Sequence, residues 1–380
     1  MELHALGYDH KKGWSVKSRP RIDSPRTLVL LFGSSSLLDS PGPIHELLDE
    51  YGESVVVGCS TAGEILGTQI HDESVSAAIA RFDHTDLRLA CASVQSVDDS
   101  FNAGQEIARQ LQDPTLRGIL VLSDGLKVNG SDLVRGLNSR VPSSVVVTGG
   151  LAGDGDRFRR TWVLQDRRPQ PGFVTAVGFY GDYVRIGHGS KGGWDRFGPE
   201  RRITKSKGNV LFELDGRPAL QLYKEYLGDR AAGLPATGLL FPLALRADQS
   251  DTKSLVRTIL AVNEGEQSLT FAGDIPEGAF AQLMKANFDR LVQGASEAAT
   301  TTKLSADGDS CTLAIAISCV GRRLVLGERT EEETEATLEV LPKGTQQVGF
   351  YSYGEISPYA TGTCDLHNQT MTLTTLSEAA

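Results

Sequence analysis

The 380-residue sequence is poor in cysteine, has no long apolar run and carries no excess of positive charge. Its five cysteines are Cys59, Cys91, Cys311, Cys319 and Cys364, an odd number with no C-x-x-C pair and no zinc-type Cys/His spacing. That excludes a disulfide framework and structural zinc, and free thiols imply a reducing compartment. Apolar runs such as 27–32 and 313–317 fall far short of the ~20 residues a membrane span needs. Residues 1–26 are polar and basic, without the apolar centre of a signal peptide. A cytoplasmic location is expected. With 38 Lys plus Arg against 48 Asp plus Glu, the formal charge is −10. Neither nucleic acid nor a membrane is therefore an expected partner. What remains is ordinary globular material, 40% hydrophobic and 23% charged, of a length that predicts two domains.

Residues 1–26 read as an exposed basic arm. Beyond it, β-branched and Leu-rich runs alternate with segments of helical period, the pattern of an α/β chain with mixed sheets flanked by helices. Strands are expected at 27–32, 54–57, 74–81, 118–122, 144–147, 161–164, 173–180, 184–187, 255–262, 311–318, 347–350 and 369–375. Helices are expected at 44–51, 100–111, 132–140, 219–227, 286–299 and 331–340, the last opening on a Thr330/Glu333 capping box. The Asp215-Gly216 turn signal sets the boundary between a first domain, 27–216, and a second, 217–365. A C-terminal strand and tail follow at 366–380.

An internal repeat is the most informative feature. Three segments share one plan of strand, helix, second strand and a loop ending in Gly-acid. The first passes through "VVVGCSTAGE", the second through "VVVTGGLAGD" and the third through "QVGFYSYGE". Aligned on the second strand, Gly58, Thr148 and Gly349 coincide, as do Gly63, Gly153 and Gly354. The acids Glu64, Asp154 and Glu355 fall in one column. Each unit has the order of a βαβ crossover, which gathers the loops at one sheet edge, where ligands commonly bind. Two readings stay open for these loops. Either they share turn chemistry because they share a backbone, or they converge on a ligand.

Catalytic signatures are weak. The segment from Gly58 to Gly63 resembles a nucleophile elbow, but Gly63 lies three residues past Ser60 rather than two. "GGLAGDGD" can cradle a phosphate through backbone amides, yet it lacks the P-loop and dinucleotide patterns. Asp154 and Asp156 beside glycines are weak evidence for a hard cation. Haem needs only one axial side chain, and His188 in "RIGHGSKGGW" is the candidate. A binding module fits better. Glycine-rich loops admit a small ligand to the backbone, Glu64, Asp154 and Glu355 can grip an ammonium group, and Arg322 can pair a carboxylate. That set suits an amino-acid-like zwitterion. Arg322 reads equally well as a structural ion pair, and Phe350, Tyr351 and Tyr353 can wall a pocket or, the favoured reading, fill core.

Nine motifs in order, among them "VVVGCSTAGEI", "GGLAGDG", "GGWDRFGPERRIT", "CVGRRLVLG", "GFYSYGEISP" and "HNQTMTLTTL", resemble the FIST family across about residues 25–376. The resemblance implies a FIST N-terminal and a FIST C-terminal domain acting as a sensory input module, thought to bind small ligands such as amino acids. It implies no catalysis. The chain resembles the stand-alone form, without a fused output domain or F-box, whose signal passes to a partner such as a histidine kinase or another signalling protein. Some stand-alone relatives are haem-containing nitric-oxide sensors with a His just before the Gly-Trp pair. Here Gly192 stands there, leaving His188 as the substitute ligand for a haem b. A protein-interaction scaffold is a further alternative. Carried over by position, the family segments fall on Gly58, Ser60, Thr61, Gly63 and Glu64, and on Cys319, Gly321, Arg322, Gly354, Glu355, His367 and Asn368. Cys319 is the reactive-thiol candidate. Gly153 and Asp154 join the ligand-binding candidates from the repeat.

Overall fold

The apolar run Thr27–Gly33 forms a strand buried at every position. Leu28, Leu30 and Phe32 face the centre of the molecule, while Val29 and Leu31 pack with Ile44 and Leu47 of the first helix. A strand covered on both faces needs apolar residues throughout. The computed structural model describes residues 1–248, 254–302, 311–358 and 363–379. Its helices are α1 (Gly42–Leu48), α2 (Ser100–Leu111), α3 (Gly130–Asn138), α4 (Ala219–Leu227), α5 (Phe288–Thr300), α6 (Val320–Leu326) and α7 (Thr330–Glu339).

The βαβ unit occurs three times, as the repeat predicts. Thr27–Gly33 pairs parallel with Val55–Ser60 around α1. Leu116–Ser123 pairs with Val146–Leu151 around α3, and Leu313–Cys319 with Gln346–Ser352 around α6 and α7. Each first strand has an antiparallel neighbour: Ser74–Arg81, Phe173–Tyr180 and Met371–Glu378 respectively. Beyond these lie Glu2–Asp9, Asp86–Ser93 and Val184–Lys191. The N-terminal segment is therefore not simply an exposed arm. Glu2–Asp9 is a sheet strand with Leu3 and Leu6 buried, too short and too mixed in polarity to stand out from its basic flank.

The far side of each parallel pair is filled by a hairpin from a different repeat. Glu64–Leu66 leaves the first repeat and pairs with Gln346–Ser352 of the third. Gly354–Pro358 leaves the third and pairs with Val146–Leu151 of the second. Val163–Gln165 leaves the second and pairs with Val55–Ser60 of the first. The exchange is cyclic, so the three sheets are interlocked around one apolar centre that includes Phe32, Leu122, Ile317 and Phe350. Phe32 and Phe350 stack there with ring centroids 4.8 Å apart.

The third repeat is interrupted between Val184–Lys191 and α5. This insert forms its own sheet, with Asp195–Lys207 central, over α4 and a core including Leu211, Tyr223 and Phe271. The boundary expected at 216–217 falls inside the insert. Asp215 and Gly216 both have positive φ (51° and 73°) and close a two-residue turn between Val210–Leu214 and Arg217–Pro218. That turn is a hairpin within the sheet of the insert. The single strand expected at 255–262 is broken into Leu255–Arg257 and Ile259–Asn263, which lie at opposite ends of that sheet. Among the described residues no helix is long and apolar enough to cross a membrane.

Candidate functional site

The Gly-acid steps lie where the chain crosses from one sheet to the next, and this brings the three turns together. Ala62 N–H donates to Tyr351 O (2.8 Å) and Tyr351 N–H to Gly63 O (2.9 Å). Gly153 N–H donates to Ser60 O (3.0 Å) and Tyr353 N–H to Leu151 O (3.2 Å). The turns thus meet by bonding to one another.

Their acids follow a common design. Glu64 accepts from the Thr61 hydroxyl through one oxygen and from Ser74 N–H (3.1 Å) and its hydroxyl (2.7 Å) through the other. Glu355 repeats this with Ser352 Oγ (2.6 Å), Thr370 N–H (3.2 Å) and Thr370 Oγ1 (2.9 Å). Asp154 accepts from the Tyr353 hydroxyl and from the amides of Arg159 (2.9 Å) and Arg160 (3.0 Å). All three are buried and hydrogen-bonded to their own loops, so each carboxylate staples a crossing rather than facing an open cavity. Burial pushes Glu64 up to about 7 and Glu355 up to about 8. For Asp154, burial is outweighed by the Tyr353 and amide hydrogen bonds, and its pKa is held below the ordinary value.

A pH dependence follows. Glu355 keeps its proton in the folded state to higher pH than in the unfolded chain, so its contribution is complete at pH 4 and lost as pH rises through about 8. Glu355→Gln keeps the shape, with the Ser352 hydroxyl turning to accept from the new amide. Urea unfolding should show the variant gaining on the parent by about 5 kcal/mol at pH 9, at ~1.4 kcal/mol per pKa unit, with no such gain at pH 4. An equal gain at both pH values would contradict the assignment.

The other expected residues are placed as follows. Ser60 Oγ is buried and accepts from Trp162 N–H (3.0 Å), with Gly58 two residues before it in the same strand. Arg322 is fully buried in an ion pair with Glu333, donating through Nε (2.9 Å) and Nη2 (2.7 Å). It also donates to Gly192 O and Leu291 O, so it is not available to a ligand carboxylate in this arrangement. The capping box is not formed either. Glu333 faces Arg322, Ser318 and Tyr351, and the Thr330 hydroxyl donates to Gly327 O. His367 Nε2 meets Ser357 O at 3.0 Å. Gly354 packs beside Leu366 and the Asn368 amide. Cys319 is buried, and desolvation with the nearby Glu355 charge pushes its thiol pKa far up, the opposite of an activated thiolate. His188 sits half-buried in Val184–Lys191, its pKa lowered by burial.

The open site lies elsewhere, where the three-sheet core joins the insert. A groove of about 650 Å³ is walled by Gly192, Gly193, Trp194, Asp195, Arg196, Ser254, Val256, Met284, Lys285 and Arg290. Asp195 accepts from Arg290 Nη1 (2.5 Å) and Asn287 Nδ2 (3.1 Å), and the Asn287 bond leads in holding its pKa below the usual range. Arg196, Lys285 and Arg290 outnumber Asp195, making the wall net cationic. Met284 and Val256 give it an apolar patch. The groove touches the loop cluster through one segment: Trp194 Nε1 donates to Gln369 O (2.8 Å), and Arg322 holds Gly192 O. The segment "GGWDRFGPERRIT" carries the family resemblance, but none of its residues was an expected ligand contact. Among the described residues no three metal-ligating side chains gather.

The family model of the FIST N domain matches residues 27–217, and that of the FIST C domain residues 219–358. The chain is 24% identical over 270 residues to an uncharacterized protein, MJ1623, of Methanocaldococcus jannaschii, covering 63% of this chain and half the length of that relative. Among solved structures, a cyanuric acid hydrolase from A. caulinodans aligns at 12% identity over 78% of this chain and 100% of its own, with a TM-score of 0.19. PurLQS from Thermotoga maritima aligns at 11% over 94% and 66%, with a TM-score of 0.17. At such scores neither bears on fold or chemistry.

Proposed function

Since the chain belongs to the FIST family, whose domains are associated with sensing in signal transduction, we propose that it is a non-catalytic sensor whose ligand site is the groove at Trp194. The observation that carries this reading is a cavity of about 650 Å³ with three cations, one carboxylate and an apolar patch on its walls. That volume is the size of a small-molecule site. An amino-acid-like ligand fits its chemistry: the carboxylate meets Arg196 and Lys285, the ammonium meets Asp195, and the side chain lies toward Met284 and Val256. Occupancy would reach the interlocked sheets through the Gly192–Arg322 and Trp194–Gln369 bonds, and a separate signalling protein such as a histidine kinase would read the change. A ligand shifts such an equilibrium only by binding one arrangement better than the other. His188 offers one imidazole to a haem but is not a wall of the groove.

Calorimetric titration with the common L-amino acids tests the site. At least one should bind, and Arg196→Ala or Lys285→Ala should weaken it tenfold or more, since each removes a charge-assisted hydrogen bond. Binding that both variants leave unchanged would place the ligand elsewhere.

A further inference from the structure

Two adjacent side chains, Asn368 and Gln369, are fully buried, and none of the four polar atoms of their carboxamides has a hydrogen-bond partner among the described residues. Buried carboxamides are nearly always satisfied, by protein, water or ligand. Gln369 also sits at φ 62°, a left-handed conformation uncommon for a residue with a long side chain.

The pseudo-symmetry supplies a comparison. Ser74 and Thr370 bind Glu64 and Glu355 alike, so Glu73 is the counterpart of Gln369, and its φ is 51°. Glu73 accepts from the hydroxyls of Ser34 (2.8 Å) and Ser36 (2.9 Å). By strand register, Cys319 and Gly321 occupy those two positions in the third repeat. The hydroxyls are gone, and the Gln369 amide lies over Gly321, where an added Cβ would come within 2.5 Å of Nε2. The first repeat closes its polar cluster with its own side chains. The third leaves donors and acceptors open.

We infer that Asn368 and Gln369 form the specificity-determining end of the ligand site and receive a side-chain carboxamide, so that the molecule sensed is an amide-bearing amino acid. This rests on the groove being the ligand site. Two carboxamides present donors and acceptors together, which another carboxamide complements edge to edge. A charged head group would find no counter-ion, since Arg322 is engaged by Glu333, Gly192 and Leu291, and Glu355 by Ser352 and Thr370. Groove and amide pair share one wall. Gly192, Gly193 and Trp194 line the groove, and Trp194 Nε1 is bonded to the Gln369 carbonyl. Displacing that segment would open the groove onto the two carboxamides. The ammonium and carboxylate would then stay among Asp195, Arg196 and Lys285 while the amide reaches inward.

The test compares L-glutamine and L-asparagine with L-glutamate and L-aspartate by calorimetry, on the parent and on Gln369→Gly and Asn368→Ala. Gln369→Gly suits the left-handed backbone, and both variants remove orphaned groups, so their melting temperatures should equal or exceed the parent's. The parent should prefer an amide to its acid at least tenfold, and the variants should lose that preference. Equal affinity for amide and acid in the parent, or a preference surviving in both variants, would overturn the inference. An NMR titration with acetamide, and acetate as control, separates it from the groove reading. If no amino acid binds but acetamide alone shifts the Asn368 and Gln369 side-chain amide signals, the groove reading fails and the amide site stands. If acetamide shifts nothing, the amide site falls.

Discussion

Glu333→Ala should cost the fold about 3–5 kcal/mol, the penalty for leaving a buried charge without its partner. Arg322 and Glu333 are both fully buried. Glu333 accepts from Arg322 Nε and Nη2, from Ser318 Oγ at 2.9 Å and from Tyr351 Oη at 2.7 Å. Removing the carboxylate strands a guanidinium and orphans two hydroxyls at once. The pair as a whole is another matter. Exchanging both residues for leucine removes charge and partner together and should cost much less than the sum of the single changes. Urea unfolding of the parent, Arg322→Leu, Glu333→Leu and the double leucine variant measures the coupling, with the midpoint moving and the slope held. If Glu333→Ala lost under 1 kcal/mol, the ion pair would not be holding α6, α7 and the Gly192 segment together as described.

Much of this architecture is legible in the amino acids, and the parts that are not have physical reasons. The strands at 74–81 and 173–180 and the helices at 100–111 and 219–227 have the bounds their periodicity predicts. The three Gly-acid turns meet, as the repeat implies. What they build could not be read, because turn chemistry is local and the crossing partner is hundreds of residues away. Glu64 pairs with Phe350 on the neighbouring strand of the third repeat's sheet, and nothing near position 64 says so. Arg322 illustrates the same limit, since ion pair and ligand clamp need the same residue and differ only in whether Glu333 is within reach. The groove was hidden for a different cause. Asp195, Arg196 and Lys285 become neighbours only because Asp195–Lys207 pairs with Phe280–Lys285, a register set by the folding of the whole insert. Asn368 could be marked by resemblance to a family segment, but its lack of partners is a property of the packed structure alone.

Gly349→Ala should be among the most damaging single methyls in the core, costing on the order of 4 kcal/mol or more, at the far end of what single substitutions do. An added Cβ would sit 1.8 Å from Ala316 O and 2.7 Å from its carbonyl carbon, so the clash is with the paired strand's backbone rather than a movable side chain. The same contact recurs around the molecule. Gly58, in the matching position of the first repeat, would place a Cβ 2.3 Å from Leu31 O. In the second repeat Thr148 takes that position, and the glycine moves one residue on. Gly149, at φ 148°, would meet Val121 O at 1.8 Å. Each parallel pair therefore has a glycine whose Cβ position is taken by a carbonyl of the partner strand, just before its chain crosses to the neighbouring sheet. Gly42→Ala is the control, since a Cβ there meets nothing within 4 Å and the helix α1 gains from it. Thermal unfolding then decides between two reasons for a glycine at positions 58 and 349. A glycine required for ligand approach would give, on substitution, a stable protein that no longer binds. A glycine required by strand contact gives a protein that loses its cooperative transition or its soluble yield whether or not ligand is present, and the geometry predicts the second result.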